Sequence, residues 1–214
     1  MNAVLACQIA EKAVELVGTA KRHLHIYLSA VSAEEPPANA SLDTLIQATI
    51  CDVPESTREP MRSYLSSTIG SALLHGHGAL IAVLQADQPL PAVFAGDGVL
   101  LPEPIELPSI VQIFLTTQNS ESTLALISYS ALLEGMLGCD GITVLRSDGA
   151  IIGYNFFVKD DNIIDTPASE LIGGARRRAF AVLCRVVEAG EANCVFIRSS
   201  NGSSEHKLKA GVQP

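Results

Sequence analysis

The stretch CDGITVLRSDGAIIGYNFFV, residues 139–158, limits the possible folds more than any other part of the chain. Two apolar runs, ITVLR and AIIGYNFFV, flank Ser147-Asp148-Gly149. An Asp-Gly dipeptide between such runs is a strong short-range signal for a hairpin, because the turn needs residues that tolerate positive φ. The two runs are therefore expected to pair antiparallel, and Asp148 is read as a turn residue.

Other segments extend a sheet around this hairpin. ALIAVL (79–84) is a continuous apolar run of the length expected for a buried strand, and PAVFA (91–95) reads as its neighbour. LPEPIELPSIVQIFLTT (101–117) is punctuated by proline and then turns helical, and TLALISYSALLEGML (123–137) predicts a helix capped by Ser122 or Thr123. KDDNIID (159–165) reads as a loop, and SELIGGARRRAFAVLCRVVEAG (169–190) as a loop running into a helix. ANCVFIRSS (192–200) reads as a strand that Asn201-Gly202 turns into SEHKLKA (204–210), with Glu205 to Lys207 on a solvated face. The pattern is that of an α/β protein with a mixed central sheet flanked by helices.

The N-terminal part follows a different pattern. From Ala3 to about Val31, the residues Val4, Leu5, Ile9, Ala13, Leu16, Val17, Leu24 and Leu28 recur at helical spacing, which predicts a long helix interrupted near Gly18. SAEEPPANAS (32–41) reads as a linker. Ser41 is then expected to cap a helix through Ile50, and a second helix is expected from about Thr57 to Leu74, with Pro60 in its first turn.

Composition narrows the function. With 14 Lys and Arg against 23 Asp and Glu, the net charge is -9, which argues against a general nucleic-acid binder and against attraction to anionic membranes. Aromatic content of 5% and the absence of Trp argue against a stacking platform for single strands. The five cysteines, Cys7, Cys51, Cys139, Cys184 and Cys194, contain no C-x-x-C pair. That spread fits buried thiols in a reducing cytoplasm better than a disulfide framework or a zinc site. Glu11, Lys12 and Glu15 interrupt the apolar start before a signal-peptide core forms, and no run approaches the length of a bilayer span, so a soluble cytoplasmic protein is expected.

Two features could carry chemistry. In LIGGARRRAF (171–180), Gly173 and Gly174 precede Arg176, Arg177 and Arg178 at a predicted helix start. A helix N-terminus already favours anions, so cations placed there are mildly unfavourable unless an anion joins them. Gly173 and Gly174 permit close backbone approach, and Arg176 and Arg178 offer forked donors suited to phosphate. The alternative is an exposed basic face pairing with Glu170 or Glu188. Asp140 opens the first strand of the hairpin, where its carboxylate could hold a metal that carries a nucleotide, or could simply form a turn with Gly141. His75 and His77 alternate in LLHGHGAL, but no third metal ligand lies near them in the sequence.

Taken in order, these segments resemble the diadenylate cyclase domain of the DisA N-terminal type. The resemblance rests on HGALIAVLQ, AGDGVLLPEPIELPSIVQ, ALLEGMLGCDGITVL, LIGGARRRAFAVL and CVFIRSSNGSS, and spans about residues 60–210. It implies an N-terminal helical region over 1–58 and a nucleotide-binding domain over 59–214. It also implies Asp140 as the ligand of Mg²⁺ or Mn²⁺, with the metal activating a ribose hydroxyl, Gly141 lining the nucleotide, and Arg176 and Arg178 holding phosphates. By position, Ile142, Gly174, Ala175, Arg177 and Ser199 join the same site. The implied partners are ATP or cyclic di-AMP and a second copy of the chain in a homo-dimer or higher homo-oligomer, with neither nucleic acid nor membrane.

The chain departs from the family pattern at four places. Ile142 stands where the family has Ala, Ala175 where it has Thr, and Arg177 where it has His, and Arg198, Ser199 and Ser200 stand in the last turn where the family often has acidic residues. Two functions follow from the resemblance: a cyclase condensing two ATP into cyclic di-AMP, or a catalytically degenerate nucleotide sensor.

Overall fold

The computed structural model describes residues 4–10, 13–18, 23–27, 38–94, 97–159, 173–199 and 202–211. It divides into two compact units, Met1–Ala40 and Ser41–Pro214.

The first unit contains three strands, β1 (Val4–Ala10), β2 (Ala13–Gly18) and β3 (His23–Tyr27), paired antiparallel in that order. This corrects the expected long helix. The eight apolar positions fit helical spacing loosely, but His23-Leu24-His25-Ile26-Tyr27 alternates strictly, as a strand does. Register places Ala6, Leu16 and Leu24 in one row and Gln8, Val14 and Ile26 in the next, so a period of two gathers the apolar residues at least as well as a period of 3.6. The expected linker at 32–41 lies largely outside the described residues.

In the second unit a six-stranded mixed sheet is flanked by helices on both faces. The helices α1 (Ala38–Ile50) and α2 (Glu55–His75) lead into β4 (Ala79–Leu84), followed by β5 (Val99–Glu106), α3 (Leu107–Thr117), α4 (Ser120–Leu137), β6 (Ile142–Arg146) and β7 (Ala150–Phe156). After them come α5 (Ala175–Glu188), β8 (Cys194–Arg198) and β9 (Ser204–Leu208). The sheet order is β5-β7-β6-β4-β8-β9; β4 and β6 run parallel, and every other adjacent pair is antiparallel.

The central strand explains the unbroken apolar run. Ala79, Ile81 and Val83 pack into one core with Leu45, Met61, Leu65 and Leu133 from the helices α1, α2 and α4. Leu80, Ala82 and Leu84 pack on the opposite face with Phe180, Leu183 and Val187 of α5. Both faces are dry, so every position of β4 must be apolar. Each fully buried large side chain contributes about 1.5–3 kcal/mol, so the sheet is held mainly by these two layers.

The hairpin forms where the Asp-Gly signal predicts it, with β6 antiparallel to β7 and Gly149 at φ 84°. Several local expectations are corrected. Of the expected strand PAVFA, the described residues 91–94 form none: Phe94 makes an isolated bridge to Val158, and its ring packs 5.5 Å from that of Phe156. Pro91 instead starts a turn, its carbonyl accepting from the Phe94 amide. The proline-punctuated VLLPEPIE does form a strand, which is possible because β5 lies at the sheet edge and its register shifts between Leu100 and Ile105.

Helix ends also move. Asn119, not Ser122 or Thr123, caps α4, its Oδ1 accepting from the Ser122 amide at 2.8 Å. Ser41 lies inside α1, and its hydroxyl meets His206 Nδ1 at 3.0 Å. Pro60 is the sixth residue of α2, beyond the first turn; the Ser56 carbonyl, four residues earlier, is on an exposed residue where water can replace the missing donor. The expected loop at 159–165, together with Ser200 and Asn201, lies outside the described residues except for Lys159.

Candidate functional site

Strand direction brings the two sequence constellations together. Because β4 and β6 are parallel with Leu80 beside Ile142, the residues preceding them, His77-Gly78 and Asp140-Gly141, open on the same edge of the sheet. Strand β8 runs the other way and places Arg198 beside Ala79, so its C-terminal end reaches that edge as well. The start of α5 supplies Arg176 to the same edge.

Arg176 ties the edge together. Its Nη1 donates to the His77 carbonyl at 3.1 Å, and its Nη2 donates to Asp140 Oδ1 at 3.3 Å. Its Nε is buried and has no acceptor among the described residues. The Arg176 side chain is 21% exposed and that of Asp140 is 95% exposed. An ion pair with one partner so open contributes about 0–1 kcal/mol. It is weak enough to be exchanged for a stronger, forked contact with an incoming oxyanion.

Two glycines make this geometry possible. Gly78 has φ 107°, and a Cβ there would come within 2.5 Å of the Arg198 carbonyl oxygen and 2.6 Å of Arg176 Nη1. At Gly141 a Cβ would meet the backbone carbon of Asn155 at 2.5 Å, while the Gly141 amide donates to Asn155 Oδ1 at 3.3 Å. Asn155 itself adopts φ 57°, a left-handed conformation that asparagine tolerates better than most residues.

The remaining sequence-derived positions separate. Gly174 is the extended N-cap of α5 with no side-chain cap bond, and Gly174 and Ala175 are both exposed. Arg178 is exposed and makes no ion pair among the described residues. Arg177 turns to β9, where it donates to Glu205 and lies 5.4 Å from the centre of the Phe180 ring. The hydrogen bond to Glu205 raises its pKa further above its already high value. Glu170 lies outside the described residues, and Glu188 pairs with Lys207. Ile142 is 1% exposed and packs in the core shared with α5. The Ser199 amide donates to the Ser203 carbonyl at 2.9 Å, and its own carbonyl accepts from Gly202 at 3.0 Å, which closes the β8–β9 turn beside Gly78.

The sequence offers the imidazoles of His75 and His77, but it is the His77 carbonyl that takes part, accepting from Arg176. The side chain of His75 lies outside the described residues, and the His77 residue is exposed. Gly78 and Asn155 were both missed; the Gly-His-Gly spacing before an apolar strand was the available signal for the first. Among the residues whose side chains are described, no group of three His, Cys, Asp or Glu is placed to hold a metal. A single carboxylate fits Mg²⁺ or Mn²⁺ only as an ion arriving with nucleotide phosphates, which commonly complete such a site. The described cysteines, Cys51, Cys139, Cys184 and Cys194, are free thiols, and no helix among the described residues is long and apolar enough to cross a membrane.

No protein-family model matches the chain, and comparisons with curated proteins and with solved structures give no match.

Proposed function

We propose that the second unit is an adenine-nucleotide-binding domain of the diadenylate cyclase type. The observation that carries this reading is the meeting of Arg176, Asp140 and the two close-packed glycines at one sheet edge. Arg176 presents a half-buried guanidinium with a spare donor, and Arg178 adds an exposed cation two residues further along the helix. Phosphoryl transfer depends mostly on positioning and on neutralising charge, which are the services such residues provide.

In this reading a triphosphate takes over the contact that Asp140 now makes with Arg176. Asp140 is thereby released to hold the divalent ion that the nucleotide brings, and that ion would supply Lewis-acid activation of a ribose hydroxyl. Arg176 binds phosphate, the Gly174 end of α5 offers unpaired backbone amides, and Gly141, packed against the Asn155 backbone, lines the nucleotide. The cyclic product requires two ATP and so a second copy of the chain facing the first.

A second reading, nucleotide sensing without turnover, is supported by Arg177. The residue at the position of the family's histidine is engaged with Glu205 and Phe180, away from Arg176 and Asp140. One incubation separates the two: purified protein with ATP and Mn²⁺ or Mg²⁺, products resolved by chromatography, beside a metal-free control. Cyclic di-AMP from the wild type but not from Asp140→Asn establishes the cyclase. No product, with ATP still raising the melting temperature, establishes the sensor. Neither product nor stabilisation rejects both.

A further inference from the structure

We propose that the outer face of α4 is a self-association surface, on which a second copy of the chain docks with its own α4 running antiparallel to the first. The helix carries large apolar residues on both of its faces, the pattern of a helix that is covered on both. One face packs inward through Leu133, Met136 and Leu137. On the other, at spacings of three and four, stand Leu124, Ile127, Ser128, Ala131 and Gly135, all exposed. Leu124 is 63% and Ile127 59% open to solvent. Single exposed apolar side chains are ordinary on a surface, but these share one stripe.

Charge and shape select the occupant. A chain of net charge -9 repels its own copies, so self-association needs a surface without charge. Residues 107–139, which hold α3 and α4, contain Glu121 and Glu134 as their only charged residues, in a chain that is 17% charged. These two flank the stripe, about 60° and about 80° around the helix from Leu124. In a two-fold contact the same patch meets itself. The antiparallel register that sets Leu124 against Gly135 of the second copy puts a large side chain where nothing lies within 4 Å of an added Cβ. The same register sets Ser128 against Ala131, Glu121 beside Gly138 and Glu134 beside Ala125, so no carboxylate meets another. A partner chosen by charge finds no handle on this face.

The area is of the right order. α4 is about 27 Å long and about 10 Å across, and α3 packs beside it with Ile113 56% exposed. The two helices together offer about 400–500 Å² in plan, against the about 800 Å² that each partner of a standard interface buries. In this register the two Asp140 residues, three positions past the helix end at Leu137, stand about 30 Å apart along the helix axis. The contact is therefore separate from the face-to-face arrangement that a cyclic product requires, and it does not rest on the nucleotide reading.

The test is sedimentation equilibrium of the full chain without nucleotide, over a wide range of concentration. A dimer is expected. Leu124→Glu and Ala131→Glu, both at exposed positions, should each raise its dissociation constant more than about tenfold, because each buries two carboxylates at the contact, while circular dichroism stays that of the folded chain. Gly135→Leu adds apolar surface yet should weaken the dimer as well, by filling the space that Leu124 takes. Leu100→Glu, at an exposed apolar residue of β5, and Asp140→Asn should leave it unchanged. A monomer at every concentration overturns the proposal, as does a dimer that survives Leu124→Glu and Ala131→Glu or one that Leu100→Glu disrupts equally. A dimer tightened by Gly135→Leu rejects the antiparallel register.

Discussion

Gly78 leaves vacant the space that Arg176 needs: a Cβ at residue 78 would lie 2.6 Å from Arg176 Nη1 and 2.5 Å from the Arg198 carbonyl oxygen. A backbone position thus controls where a cation sits. With φ at 107°, Gly78→Ala is strained as well as crowded, and such strain costs about 1–3 kcal/mol. The expected outcome is a lower melting temperature together with weakened ATP binding, because the guanidinium must move. Gly174→Ala is the control: its backbone is extended and nothing lies within 4 Å of the added methyl, so stability should stay within about 0.5 kcal/mol of wild type. Thermal unfolding with and without ATP reads both.

The three consecutive arginines should not behave alike. Arg176→Ala removes the guanidinium that links His77 and Asp140 and should weaken ATP binding about tenfold or more, in line with a charge-assisted contact worth about 1.5–3 kcal/mol. Arg177→Ala removes a partly exposed pair with Glu205 and a contact over Phe180. It should cost about 1 kcal/mol of stability or less and leave the ATP affinity unchanged. Calorimetric titration of the two variants separates these roles, and equal losses of affinity would contradict the division.

Much of the second unit was legible because its signals are local. The Asp-Gly turn set the β6–β7 hairpin, the continuous run ALIAVL announced a strand buried on both faces, and the glycine pair before ARRRAF marked the start of α5. What was misread depended on neighbours. VLLPEPIE is a strand only because its prolines fall at a sheet edge, and PAVFA packs without a ladder because Pro91 starts a turn there. The N-terminal segment satisfied two periodicities at once, and pairing in register, a non-local property, decided between them. At the site, Asp140 and Arg176 could be named separately. Their 3.3 Å contact, however, follows from the parallel pairing of β4 with β6 and the placement of α5, neither of which a single motif encodes.

The buried thiol of Cys194 and the half-buried thiol of Cys184 give a pH prediction. Burial pushes Cys184 up to about 11 and Cys194 up to about 12. The folded state therefore keeps protons that the unfolded chain releases above the ordinary thiol value of 9.0. Stability from these groups is fully present below pH 9.0 and is lost as pH rises through about 11 and about 12. Melting temperature should fall as pH is raised above 9.0, and Cys184→Ala should make that fall shallower. Near neutral pH the buried Cys194 should resist alkylation until the protein unfolds, while the half-buried Cys184 should react slowly in the folded protein because its pKa is raised, which mass spectrometry after timed labelling checks residue by residue.

The isoleucine at 142 offers the sharpest test of what surrounds the site. It replaces the alanine of the resembled family, and its side chain is 1% exposed, packed in the cluster that includes Leu80, Val144, Phe156 and Phe180. Restoring alanine would therefore remove core contacts beneath the sheet edge and leave a cavity facing α5. Substitutions of this kind cost about 2–5 kcal/mol. Ile142→Ala should lower the urea midpoint with little change in slope. Because α5 carries Arg176 and rests on this cluster through Phe180, ATP binding should weaken with it. Tighter ATP binding or a newly measurable cyclase activity in Ile142→Ala would mean instead that the isoleucine limits the pocket from within, and that the core has enough slack to do without it.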